Sequence, residues 1–129
     1  MLSLRVLLLI GLFGAAGAIS RFALSELVYR SLGRGFPFGT LAVNGLGCFL
    51  IGGLAHIGFA TDSVPEVWRV ALTAGFLGGL TTFSTFGYET FRHLDQGEFA
   101  IAAGNVVGSV FLGLIAVWAG VAAAKSVLG

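Results

Sequence analysis

Apolar residues dominate four stretches of the chain, roughly 4–24, 38–60, 67–91 and 99–127, and polar residues collect in the short gaps between them. About 20 apolar residues cross a hydrocarbon core of ~30 Å, because a helix rises about 1.5 Å per residue. The pattern predicts an all-α integral membrane protein, a single domain over 1–129 with four transmembrane helices. The gaps at 29–37, 61–66 and 93–98 are too short to fold as a separate aqueous domain. No small-residue cleavage site follows the apolar run behind Arg5, so the first stretch is read as a retained span.

The third stretch departs from the pattern. Gly75-Phe-Leu-Gly-Gly-Leu-Thr-Thr-Phe-Ser-Thr-Phe86 packs three glycines, four hydroxyls and three phenylalanines into twelve residues, a poor helix former. An unpaired backbone group in hydrocarbon costs several kcal/mol. Non-helical backbone therefore survives at membrane depth only when it is buried in protein or lines a wet cavity or ion site. A third helix broken mid-membrane is expected here, beside something polar. The plainer explanation is that glycines and hydroxyls merely let helices approach closely. Phe83 and Phe86 are three apart and share a face if helix resumes after Thr82. Such a pair usually contacts lipid or packs, but ring edges carry the positive part of the aromatic quadrupole and can face an anion. Ser84 and Thr85 add donors beside the rings.

The other stretches carry polar positions at helical spacing. Gly14, Gly17, Ala18 and Arg21 make one small face of the first, ending in a cation that either snorkels to the interface or attracts an anion. Thr40, Asn44, Gly47, Cys48 and Ile51 share a face of the second, where Asn44 either joins helices or faces a polar pathway. Asn105 and Ser109 form a polar face of the fourth, with Gly104 and Gly108 as a small-residue packing pair beside it.

Composition narrows the function classes. The chain is 57% hydrophobic and 10% charged, far from the roughly 25% charged content of soluble domains. A net charge of +1 gives no footprint for nucleic acid. The single cysteine, Cys48, excludes an intrachain disulfide, and His56 and His93 are too far apart for a metal site and are read as interfacial. No nucleophile and base pair can be proposed, so the chain is not read as an enzyme. With alternate gaps on opposite sides, Arg5, Arg69 and Lys125 flank one surface, and Arg30, Arg34 and Arg92 flank the other. This balance leaves the positive-inside rule without a preference and predicts insertion both ways. Four spans are few to enclose a pathway, so the polar faces are expected to meet an inverted second copy.

Three motifs, Gly17-Ala-Ile-Ser-Arg21, Gly39-Thr-Leu-Ala-Val-Asn44 with Gly47-Cys48-Phe49, and above all 75–86, closely resemble the Fluc (CrcB) family of fluoride ion channels. The resemblance covers all four stretches in order. It implies a passive fluoride exporter in a bacterial inner or plasma membrane, built as an antiparallel, dual-topology homodimer in contact with lipid. Hydrogen fluoride would enter neutral from an acidic outside and dissociate in the cytoplasm, and a fluoride-selective leak would let the membrane potential expel the anion.

Residue by residue, the resemblance implies that Asn44 donates to fluoride and that Phe83 and Phe86 line the ion path with their ring edges, each subunit lending residues to two pores. Thr40, Thr82, Ser84 and Ser109 look like further pore positions, while Arg21 and Glu89 resemble vestibule residues. Gly78 and Thr81 match positions whose backbone carbonyls hold a structural sodium ion at the dimer centre.

Two alternatives stand beside this reading. A small proton-coupled multidrug antiporter also has four spans, but it needs a carboxylate inside the membrane, and Glu26, Glu66, Glu89 and Glu98 all fall at or beyond the ends of the apolar stretches. A non-catalytic membrane assembly subunit would use the broken helix and the Asn44 face only for packing.

Overall fold

The structure is a computed structural model that describes residues 2–128. Met1 and Gly129, the two ends of the expected domain, lie outside it, as do the side chains of Phe59 and Ala60. Among the described residues there are helices and loops and no strand. The helices are α1 (Leu4–Leu32), α2 (Phe38–Ala55) with a π-helical turn at His56–Ala60, α3 (Glu66–Val70), α4 (Gly78–Leu80), α5 (Phe83–Asp95) and α6 (Phe99–Leu128). A π-helical stretch, Ala71–Leu77, joins α3 to α4. Four segments are long and apolar enough to span a membrane: Leu4–Leu32, Phe38–Gly58, Glu66–Asp95 and Phe99–Leu128.

Two helices outrun the apolar stretches that predicted them. The Ser3 hydroxyl caps α1 by accepting from the Val6 N–H at 3.2 Å. The helix ends at Gly33, whose φ of 82° is open to glycine and whose N–H donates to the Tyr29 carbonyl. α1 thus continues eight residues past Leu24, and the third span likewise continues to Asp95. Hydropathy marks how deep a helix sits, whereas caps decide where it stops. Glu26 and Glu89 therefore lie inside helices, a correction to their expected place at segment ends.

Glycines set the crossings. A Cβ at Gly17 would overlap the Phe76 carbonyl, and one at Gly79 would overlap that of Gly14, so α1 meets the third span backbone to backbone. Gly52 and Gly120 do the same where α2 crosses α6. The expected packing pair on α6 is not used within the chain. Nothing stands within 4 Å of a Cβ at Gly108, and only a Phe36 ring carbon approaches Gly104. Val43, Leu77 and Leu80 form the buried core, with Leu50, Leu54 and Phe76 against it. Around it, large apolar side chains such as Leu12, Ile19, Phe22, Leu114 and Trp118 face outward, as a lipid solvent requires. His93 is buried rather than interfacial, with Nδ1 3.2 Å from Glu98 Oε1 where the chain turns from α5 to α6.

Candidate ion pathway

Between α4 and α5 the backbone is extended at Thr81 (φ −93°, ψ 156°) and Thr82 (φ −150°, ψ 117°). Two β-branched residues after a glycine pair favour that conformation over helix. Asn44 on α2 pairs with this link at both of its backbone groups. Its Oδ1 accepts from the Thr82 N–H at 2.8 Å, and its Nδ2 donates to the Thr82 carbonyl at 3.1 Å. The Thr82 hydroxyl caps α5 by accepting from the Thr85 N–H at 3.2 Å. One N–H of the Asn44 amide is left for another acceptor.

A cavity of about 470 Å³ opens beside the link. Asn44, Thr81, Thr82, Phe83, Phe86 and Ser109 contribute to its walls, with Gly78 and Cys48. The Phe83 and Phe86 ring centroids are 5.6 Å apart with planes tilted by 41°, so the rings are inclined to each other rather than stacked. Phe83 is 83% exposed, which leaves the cavity open along that side. Behind the wall, Asn105 is buried and donates through Nδ2 to Thr90 Oγ1 at 2.9 Å. Ser109 Oγ donates to Asn105 Oδ1 at 3.3 Å, and Thr90 Oγ1 to the Phe86 carbonyl at 2.8 Å.

A second cavity of about 400 Å³ collects most of the remaining candidates, among them Arg21, Tyr29, Thr40, Thr85, Glu89 and Arg92. Thr82 lines both cavities. Arg21 reaches back from this cavity to α4, where its Nε donates to the Gly79 carbonyl at 2.9 Å. Glu89 is buried, accepting from the Tyr29 hydroxyl at 3.1 Å and from the Thr40 hydroxyl. Arg34 pairs with Glu26 and lies over the Tyr29 ring, 4.7 Å from its centroid.

Residues 8–121 match the model of the family described as CrcB-like protein, Camphor Resistance (CrcB). This chain belongs to the CrcB family. A relative from Geobacter metallireducens is 53% identical over 116 residues, 90% of this chain and 94% of its own length. Relatives from Geotalea daltonii and Geobacter sulfurreducens are 51% and 49% identical, each over 95% of this chain and 98% of their own length. All three bear the name fluoride-specific ion channel FluC, the name of a channel and not of an enzyme. With its four apolar helices, this CrcB chain is a multi-pass bacterial membrane protein.

The CrcB fold brings the sequence-predicted residues into two groups. Asn44, Thr82, Phe83, Phe86 and Ser109 share the first cavity with Gly78 and Thr81, while Arg21, Thr40 and Glu89 share the second. Ser84 lines neither, and its hydroxyl lies 3.3 Å from Thr82 Oγ1. Tyr29 and Thr90 were not foreseen. Tyr29 lies beyond the first apolar stretch, and Thr90 is a lone hydroxyl whose partner comes from another helix.

The backbone at the link fits a cation. In an unbroken helix the N–H groups of Thr82 and Thr85 would satisfy the carbonyls of Gly78 and Thr81. Here they go to Asn44 Oδ1 and Thr82 Oγ1 instead. Two carbonyls thus lose their helical donors, and unwound backbone carbonyls of this kind are hard oxygen ligands that could hold a cation.

Proposed function

We propose that this chain is a passive, fluoride-selective channel that exports fluoride and protects the cell from its toxicity. It works as an antiparallel, dual-topology homodimer with two pores and a third helix broken mid-membrane. The observation that carries the reading is the convergence of Asn44, Thr82, Phe83, Phe86 and Ser109 on one cavity, in a chain about half identical to relatives named fluoride channels.

Fluoride is small and strongly hydrated, so a pore must replace its water with donors. The remaining Asn44 N–H and the edges of the two rings are the donors this chain offers, joined by the hydroxyls of Thr82 and Ser109 once these turn from Thr85 Oγ1 and Asn105 Oδ1, to which they donate in the single chain. The second cavity, with Arg21 and Glu89, serves as the vestibule. An inverted copy would close the open side along Phe83. The carbonyls of Gly78 and Thr81, with those of the second copy, would hold sodium, whose charge offsets the cost of an anion at mid-membrane.

The test is anion efflux from liposomes under a potassium gradient with valinomycin and no proton gradient. Rapid fluoride release with little chloride release supports the channel; no fluoride release from folded dimer overturns it. Glu89, buried inside the third span, is the one observation that favours a proton-coupled antiporter. Transport that requires a proton gradient would establish that second reading.

A further inference from the structure

Hydroxyl bookkeeping around Asn105 bears on how the first cavity treats an anion, and the inference rests on the fluoride reading above. A serine hydroxyl has one hydrogen and two lone pairs. In the arrangement described, Ser109 spends its hydrogen on Asn105 Oδ1 and turns only lone pairs toward the cavity it lines. Lone pairs repel an anion, so a Ser109 bound this way is the wrong way round for fluoride.

Asn105 supplies the remedy. It is 1% exposed, lies behind the cavity wall, and has hydroxyls on both sides, Thr90 at 2.9 Å and Ser109 at 3.3 Å. Rotating its amide by half a turn exchanges Oδ1 and Nδ2 with little change in heavy-atom positions. Nδ2 then donates to Ser109, and the Ser109 hydrogen is released toward the cavity. Oδ1 accepts instead from Thr90, whose hydrogen leaves the Phe86 carbonyl. That carbonyl still keeps its helical N–H partner.

The count of bonds decides between the two arrangements. The first makes three: Ser109 to Asn105, Asn105 to Thr90, and Thr90 to Phe86. The second makes two within the protein and a third only when an anion accepts from Ser109. We propose that Asn105 is a positioning residue that sets the polarity of the Ser109 hydroxyl, and that an anion in the cavity selects the orientation in which Ser109 donates. The cavity wall is a poor donor while empty and becomes a donor as the anion arrives.

Thr90→Val tests this without touching the cavity wall. It removes two bonds from the first arrangement and one from the second, and so biases Ser109 toward donating. The fluoride concentration giving half-maximal efflux from liposomes should fall about threefold, because one net hydrogen bond, worth about fivefold in the balance of the two arrangements, raises the donating fraction from roughly a sixth to roughly a half. Thr90→Ser should restore the wild-type value, and in a Ser109→Ala background Thr90→Val should have no effect on it. An unchanged value in Thr90→Val, or a change that persists without the Ser109 hydroxyl, overturns the switch. Should Thr90→Val fail to fold, Asn105→Leu frees the Ser109 hydrogen by another route and is judged by the same pair of readouts. Wild-type protein that passes no fluoride overturns the channel reading itself, a result separate from failure of the switch in a conducting wild type.

Discussion

Asn44 bonds both backbone groups of Thr82, the N–H at 2.8 Å and the carbonyl at 3.1 Å, and so does for an extended residue what a neighbouring strand does in a sheet. One amide both joins α2 to the link and lines a cavity. Its Oδ1 and one N–H hold the link, and the side chain still lines the cavity. Asn44→Ala would leave two backbone groups unpaired. We expect a loss of about 2–6 kcal/mol, from roughly 1–3 kcal/mol for each of the two unsatisfied groups. A thermal melt in detergent reads it, and wild-type stability would show that the link does not depend on Asn44.

Phe83 and Phe86 should separate function from folding. Phe83 is 83% exposed in the single chain and Phe86 half-buried. Replacing either with Ile keeps apolar bulk and removes the ring edges. Fluoride efflux should slow by an order of magnitude or more, an expectation of roughly the size of a lost electrostatic donor, while dimer formation is retained on size-exclusion chromatography. Wild-type flux in both variants would remove the rings from the mechanism.

Arg21 offers a test of charge against geometry. Its Nε bond to the Gly79 carbonyl satisfies a group at the end of α4, and a charged donor of this kind is worth about 1.5–3 kcal/mol. Arg21→Lys keeps the charge but not the planar donor. We expect Arg21→Lys and Arg21→Gln to lower the melting temperature alike, and only Arg21→Gln to reduce fluoride flux at low ionic strength. Equal flux in the two would leave Arg21 as a cap alone.

The backbone crossing of α1 with the third span should tolerate no methyl group. Gly17→Ala places a Cβ on the Phe76 carbonyl, where neither backbone can yield cheaply, and a loss of about 3 kcal/mol, the upper end of the usual overpacking range, is expected. Gly11→Ala, with nothing within 4 Å, should cost less than about 0.5 kcal/mol. Folded yield and melting temperature compare the two, and a stable Gly17→Ala protein would mean that the crossing is looser than described.

The carbonyls of Gly78 and Thr81 lead to an ion-dependence experiment. If sodium binds the proposed dimer and not unfolded chains, exchanging it for N-methylglucamine should lower the melting temperature by several degrees, as mass action requires. A melt indifferent to sodium from micromolar to molar concentration would dismiss the ion.

Four apolar spans and the family were legible in the chain, because hydropathy over about 20 residues and a dense local motif depend only on neighbours in sequence. The poor helix at 75–86 was likewise visible from propensity alone. Other features depended on partners distant in sequence. Asn44 meets Thr82 across 38 positions, Arg21 meets Gly79 across 58 and Tyr29 meets Glu89 across 60. No periodicity encodes which helix lies opposite which, so the packing of α1 and α2 on the third span decided which polar groups were spent on structure and which were left facing a cavity. Gly108 teaches the same lesson in reverse: its spacing from Gly104 marked a packing pair, yet α2 crosses α6 at Gly120, where the Phe49 carbonyl approaches closest. Local sequence set what each helix could offer, and tertiary contact determined which offers were taken up.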